Sequence, residues 1–163
     1  MEYGISGAPL PAGFPCGSII ADACESAGFF PLVVGAIKMN ETGWSTNADE
    51  LQIGADATTL LLPDGSRAGV GLMQLTSSYP DNWRDPLATF LYAIHHFLIP
   101  ALDAWKNDLQ GDDLVRAMAA TYNGGLGAAE DGHAQGDLDL FTTDHYAQRA
   151  LTHYHALLKG VIE

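Results

Sequence analysis

The stretch from Asp85 to Trp105 constrains the fold of this chain most. Leu87, Phe90, Leu91, Ile94, Leu98, Leu102 and Trp105 recur at helical spacing, so one face of a long helix must be buried. Asp85 suits the cap and Pro86 the first helical position, where a missing N–H removes no bond. Pro100 is expected to kink or split this helix, because it cannot donate to the preceding turn.

Similar signals divide the rest of the chain. Residues 18–27 read as a short helix ended by Gly28, and a second helix runs from Pro31 to near Glu41, where Gly43 stops it. Helix is expected to return briefly after Gly71 and before Pro80. Another runs from about Asp112 to Tyr122 and ends at Gly124, followed by a Gly-rich loop over 124–136. The last starts near Thr143 and ends at Gly160. Between them, residues 58–62 are β-prone and Pro63-Asp64-Gly65 is a turn signal. The expected architecture is one mainly α domain over residues 1–163, with a small β lobe or hairpin at about residues 45–70.

With 163 residues and 47% hydrophobic content, the chain can bury a substantial core. Its formal charge is −13, and its seven Lys and Arg are scattered rather than gathered into a stripe. Nucleic acid is therefore not an expected partner. The same charge weakly repels anionic polymers and membranes, so tethering or high ionic strength is needed to offset that repulsion at any anionic surface. The longest apolar stretch, residues 29–37, contains Pro31 and is too short to span a bilayer. Residues 1–4 lack the marks of a secretion signal, so delivery by another route, or as one domain of a longer product, is the expectation.

Cys16 and Cys24 are the only cysteines. In one helix they would stand about 12 Å apart, beyond disulfide reach. Pairing would require Cys16 to lie in the preceding loop, and free thiols are the favoured reading. Six histidines raise the question of a metal. His95-His96 face apart, His153 and His155 are two positions apart on a helix, and no His-Glu-x-x-His or Cys-x-x-Cys pattern exists. Neither a metal nor an organic cofactor is expected.

The residues that carry chemistry come in three groups. Glu41 stands in Met39-Asn40-Glu41-Thr42-Gly43-Trp44, at a helix C-terminus whose negative pole disfavours an ionised carboxylate. Apolar neighbours Ile37, Met39 and Trp44 are expected to act in the same direction by desolvation, keeping a proton available for general acid catalysis. A lone Glu is otherwise an ordinary solvated side chain. Gly71-Leu72-Met73-Gln74 reads as a turn with core residues, or as a surface where glycines at 69 and 71 admit a ligand and Gln74 bonds an acetamido sugar. Tyr122-Asn123-Gly124-Gly125 reads as a helix end, or as a hydroxyl aimed at a carboxyl group or substrate. Tyr146 has the same two readings.

In this order, the three groups resemble the catalytic domain of soluble lytic transglycosylases and goose-type lysozymes. This lysozyme-like superfamily includes phage wall-degrading domains. The likeness runs from about Val33 to Leu158, and the first 30 residues add little to it. It implies a lysozyme-like fold, peptidoglycan glycan strands as substrate and action at the cell wall. By position, Glu41 corresponds to the catalytic acid, Met73 and Gln74 to the groove floor, and Tyr122 with Asn123 and Gly124 to the helix end beside the acid. Tyr146 corresponds to the tyrosine of the C-terminal helix. Thr42 replaces the usual serine and keeps its hydroxyl.

The resemblance leaves two chemistries. Inverting hydrolysis needs a second carboxylate to hold a water, roughly 6.5–9.5 Å from the acid. Goose-type enzymes carry an Asp where Thr76 stands here, and another one place from Asp64. Asp49, Asp56 and Asp64 are candidate water-holders, each also readable as a loop residue. Transglycosylation is the favoured expectation because no second carboxylate is firmly placed. A non-catalytic wall-binding or virion-structural domain with the same fold is the alternative from another class.

Overall fold

In the computed structural model, which describes residues 2–162, the chain is mainly helical. The helices are α1 (Gly17–Ala27), α2 (Pro31–Thr42), α3 (Pro86–Ala93), α4 (Ile99–Trp105), α5 (Gly111–Gly124), α6 (Leu126–Ala134) and α7 (Tyr146–Leu158). A π-helical turn, Ile94–Leu98, joins α3 to α4. α7 packs on α2 and α5, α6 packs on α5, and α1 packs on α3.

Local chemistry sets most of the bounds. Gly28 takes the left-handed conformation that closes α1. Pro31 opens α2, and Gly43 ends it, its N–H bonded to the Met39 carbonyl. The Asp85 carboxylate accepts from the Leu87 N–H and so caps α3. A π turn divides the long helix just ahead of Pro100, which stands in the first turn of α4. Across it the Ile99 N–H bonds back five residues to Ile94. The wider turn accommodates a ring and a missing donor. The rod from Pro86 to Trp105 is long and apolar enough, by length and composition, to cross a membrane. Here Phe90, Ile94 and Leu98 are fully buried in the core, beside Leu32, Ile37, Leu114 and Met118.

Two elements differ from expectation. The residues after Gly71 form a tight turn rather than a helix, closed by reciprocal bonds between Val70 and Leu75. The Gly-rich stretch is largely helical, as α6, and Gly132 lies where a Cβ would come within 2.6 Å of the Asp137 carbonyl. Without that atom the chain can fold back tightly against the helix.

Residues 43–85 form an irregular lobe. Its pairing is limited to isolated antiparallel bridges, Leu51 with Val70, Leu61 with Arg67 and Val70 with Leu75. The turn at Pro63-Asp64-Gly65 forms, with the Leu62 N–H bonded to the Ser66 carbonyl at 2.8 Å. Both cysteines are free, Cys16 half-buried and Cys24 buried, and burial pushes the Cys24 thiol up to about 12.

Candidate active site

α2 delivers Glu41 in its last turn, where the helix meets the lobe. The buried face of α2 (Leu32, Val33, Val34, Ala36 and Ile37) fixes the rotation of the helix in the core. Thr42 pins its end, because its hydroxyl donates to the Leu72 carbonyl at 2.8 Å. Lys38 secures the exit. Its side chain is fully buried, and Nζ donates to the carbonyls of Gly43 at 2.5 Å and Ser45 at 2.6 Å. Burial lowers its pKa, while Cys16 and Glu50 act in the opposite direction.

The lobe supplies the floor. Residues 50–52 pair with 69–71: the Gln52 N–H bonds to the Gly69 carbonyl and the Gly71 N–H to the Glu50 carbonyl, both at 2.9 Å. Gln52 also accepts from the Gly69 N–H through Oε1. A Cβ at position 69 would meet Gln74 Oε1 at 2.7 Å, so the glycine makes room for the Gln74 side chain. Gly71 has φ +71°, and a Cβ there would press on Thr89 and the Trp83 carbonyl at 3.2 Å. Gln74 itself is left-handed, with φ 47°, a conformation unusual for a side-chain-bearing residue. Its amide donates to the Gly71 carbonyl.

α5 and α7 supply the hydroxyls. Tyr122 donates to the Met73 carbonyl at 2.6 Å, tying the end of α5 to the floor. Tyr146, the first residue of α7, donates to Oε1 of Glu41. Asn40, next to Glu41, donates to the Tyr146 carbonyl at 2.9 Å. Asn123 Oδ1 accepts from the Thr143 N–H at 2.8 Å, and Gly124 is exposed beneath the Phe141 carbonyl.

These parts enclose two adjoining cavities. One, of about 280 Å³, is lined by Glu41, Gln52, Gly69, Gln74, Thr76, Tyr122 and Asn123. The other, of about 360 Å³, is lined by Glu41, Thr42, Glu50, Gln52, Ile53 and Gln74. Glu41, Gln52 and Gln74 belong to both, so the carboxyl stands at the middle of a cleft rather than at its end.

Burial raises the Glu41 pKa to about 7, against the lowering effects of the Tyr146 hydroxyl and the Arg149 charge. Burial also raises Tyr122 and Tyr146 well above the usual phenol range, with Glu41 adding to the effect, so both remain neutral donors. The expected shielding by Met39 and Trp44 is not what surrounds the carboxyl. Those two line a separate cavity with Phe14, His153 and Ile162.

The structure thus gathers Glu41, Thr42, Gln74, Tyr122, Asn123 and Tyr146 around one cleft, with Met73 buried beneath and joining through its carbonyl. Asp64 is elsewhere. It is exposed and accepts from the Ser66 hydroxyl and N–H, which lowers its pKa. Asp56 is similarly occupied by the Thr58 and Thr59 N–H groups and the Thr59 hydroxyl, and Asp49 pairs with Arg84 at 3.0 Å. Among the cleft residues that the sequence did not single out are two polar ones, Glu50 and Gln52. Neither lies in a motif, and only the bridging of the lobe turns them to the cleft. Among the described residues, no three His, Cys, Asp or Glu side chains converge as a metal site requires.

No protein-family model matches the chain, and no curated protein matches it.

Proposed function

We propose that this protein is a peptidoglycan-cleaving glycosidase of lysozyme-like fold that cuts the bond between N-acetylmuramic acid and N-acetylglucosamine. Glu41 carries the reading. It is a carboxyl in mid-cleft, poised near pH 7, with a neutral tyrosine on one oxygen. An acid in that state donates a proton at neutral pH and can take one back.

The steps follow from that group. Glu41 protonates the bridging oxygen as the C1–O bond breaks, and the substrate's acetamido oxygen bonds C1 to hold the developing charge. The Glu41 carboxylate then removes the proton from the C6 hydroxyl of the muramic sugar. The C6 oxygen displaces the acetamido oxygen at C1, giving a 1,6-anhydro end. Water is neither consumed nor released, and the nucleophile is already held on the substrate, which can lower the barrier by on the order of 7 kcal/mol. Tyr146 keeps Oε1 occupied, leaving Oε2 to carry the moving proton. A small space of about 40 Å³ adjoins the cleft, lined by Gln74, Leu75, Thr76, Ser77, Phe97 and Tyr122. Its mixed apolar and hydroxyl lining suits an acetamido group.

A second reading, hydrolysis, is favoured by Glu50. It lines the same cavity as Glu41, and its Oε1 accepts from the Ser45 hydroxyl at 2.5 Å. A carboxylate so placed could hold a water for attack at C1.

Digestion of purified peptidoglycan tests both. Wild type should clear the suspension and Glu41→Gln should lose roughly 10²–10⁴ of the rate. Retained activity in that variant overturns the assignment. Glycan binding by the wild type without product release would instead mark a non-catalytic wall-binding domain. Product mass separates the two chemistries, since anhydro ends are one water lighter than hydrolysed ones. If Glu50 holds water, Glu50→Gln abolishes the hydrolysed product.

A further inference from the structure

We propose that Asp139, which does not touch the cleft, is a positioning residue that holds Tyr146 on Glu41. This rests on the assignment of Glu41 as the reacting acid.

Tyr146 is the first residue of α7, where backbone N–H groups have no partner within the helix. The residue in the capping position, His145, makes no side-chain cap, and both it and Asp144 are left-handed, with φ 52° and 51°. The cap comes instead from Asp139. Its Oδ1 accepts from the Ala147 N–H at 2.7 Å and its Oδ2 from the Gln148 N–H at 3.0 Å. Oδ1 also accepts from the Thr142 hydroxyl at 2.7 Å, and that hydroxyl accepts from the Tyr146 N–H at 3.2 Å. The first three N–H groups of α7 therefore converge, directly or through Thr142, on one carboxylate.

That carboxylate is shielded. Its side chain is 5% exposed, and the Arg116 guanidinium of α5 lies 3.7 Å from Oδ2. An ionised group at a helix N-terminus, shielded and bonded to several donors, makes strong charge-assisted bonds. From the other side Asn40 donates to the Tyr146 carbonyl. The residue beside the acid and the cap of α7 thus grip the same tyrosine. Helix ends fray first when their caps are lost, and the first residue here is the one that carries the hydroxyl.

The groups that face Glu41 are Tyr146 and Arg149 of α7, Tyr122 of α5 and Glu50 of the lobe. Tyr146 and Arg149 both lower its pKa, and both ride on the turn that Asp139 caps. Loosening that turn moves the Glu41 midpoint, because it changes the burial that raises it and withdraws the hydroxyl and the Arg149 charge that lower it, whereas a general loss of stability leaves it in place.

The test is a titration of Glu41 by carbon NMR of the carboxyl-labelled protein, alongside the pH–rate profile on peptidoglycan. The variants are Asp139→Ala and Thr142→Val, the second being isosteric and keeping the carboxylate should the first not fold. In folded protein both should move the Glu41 midpoint and, because the acid is no longer held in place, lower turnover at pH 7 about tenfold. Asp139→Asn, which retains an acceptor, should recover part of each effect. An unmoved midpoint in folded Thr142→Val or Asp139→Ala, with only a lower melting temperature, overturns the proposal. A moved midpoint in a protein that never cleaves glycan overturns the glycosidase assignment and leaves the positioning role standing.

Discussion

The Tyr146 hydroxyl bonds Glu41 across 105 positions of sequence, joining the start of the last helix to the end of the second. Burial pushes the carboxyl up, while the hydroxyl and the Arg149 charge restrain it, and the balance falls at about 7. A group at that balance is half protonated at neutral pH, which suits an acid that becomes a base within one turnover.

The pH–rate profile should show it. With Glu41 required in its protonated form, kcat/KM should fall through a midpoint near 7 on the alkaline side. Above that midpoint the fall should be about tenfold per pH unit, as for loss of a single proton. Initial rates of turbidity loss in buffers of constant ionic strength measure this. A profile level to pH 9 would remove Glu41 from the role.

Stability carries the same signature. The folded value of about 7 exceeds the ordinary 4.5, so the native state binds this proton more tightly than the unfolded chain does. The contribution is full below pH 4.5 and is lost as pH rises through 7. Glu41→Gln, which cannot ionise, should match wild type near pH 4 and exceed it near pH 8. The gain should be at most roughly 3 kcal/mol, and less because the carboxyl retains some solvent. Urea unfolding at the two pH values checks the difference.

The two tyrosines should separate. Tyr146→Phe removes a bond that lowers Glu41, so the alkaline limb should shift to higher pH with little change in melting temperature. Tyr122→Phe leaves the Met73 carbonyl without its donor and should lower stability by about 1 kcal/mol. Thermal melts and pH–rate profiles on both variants distinguish them.

Lys38→Met keeps the length of a buried side chain but removes both donors from the Gly43 and Ser45 carbonyls. A loss of about 2 kcal/mol is expected, because two carbonyls lose charge-assisted bonds. Ser45 holds Glu50, so the cleft wall should loosen as well. Proteolysis within residues 43–53 should be faster than in wild type.

Helix ends were legible where local backbone chemistry decides them. Pro31, Gly43, Asp85-Pro86 and Gly124 mark bounds that need no distant partner. α6 was not legible, because its glycines argue for loop until the close approach of Asp137 gives Gly132 a packing reason. The π turn escaped for a related reason. Pro100 signals a disturbance, but not that it takes the form of a π turn with Ile94 and Leu98 buried in the core.

For the site, the sequence singled out Glu41, Gln74, Tyr122 and Tyr146 through the family resemblance that their order carries, while spacing alone read Tyr146 as a core residue. It placed the acid at a helix end and the glycines where the backbone turns sharply, since those choices depend on neighbours in sequence. Which second carboxylate shares the cleft was decided by the lobe, whose bridges turn Glu50 inward and leave Asp64 at an exposed turn. The state of the acid's proton was decided by tertiary structure too, through burial and α7. Desolvation and long-range hydrogen bonds depend on what folds over a group, and those partners lie more than a hundred positions away.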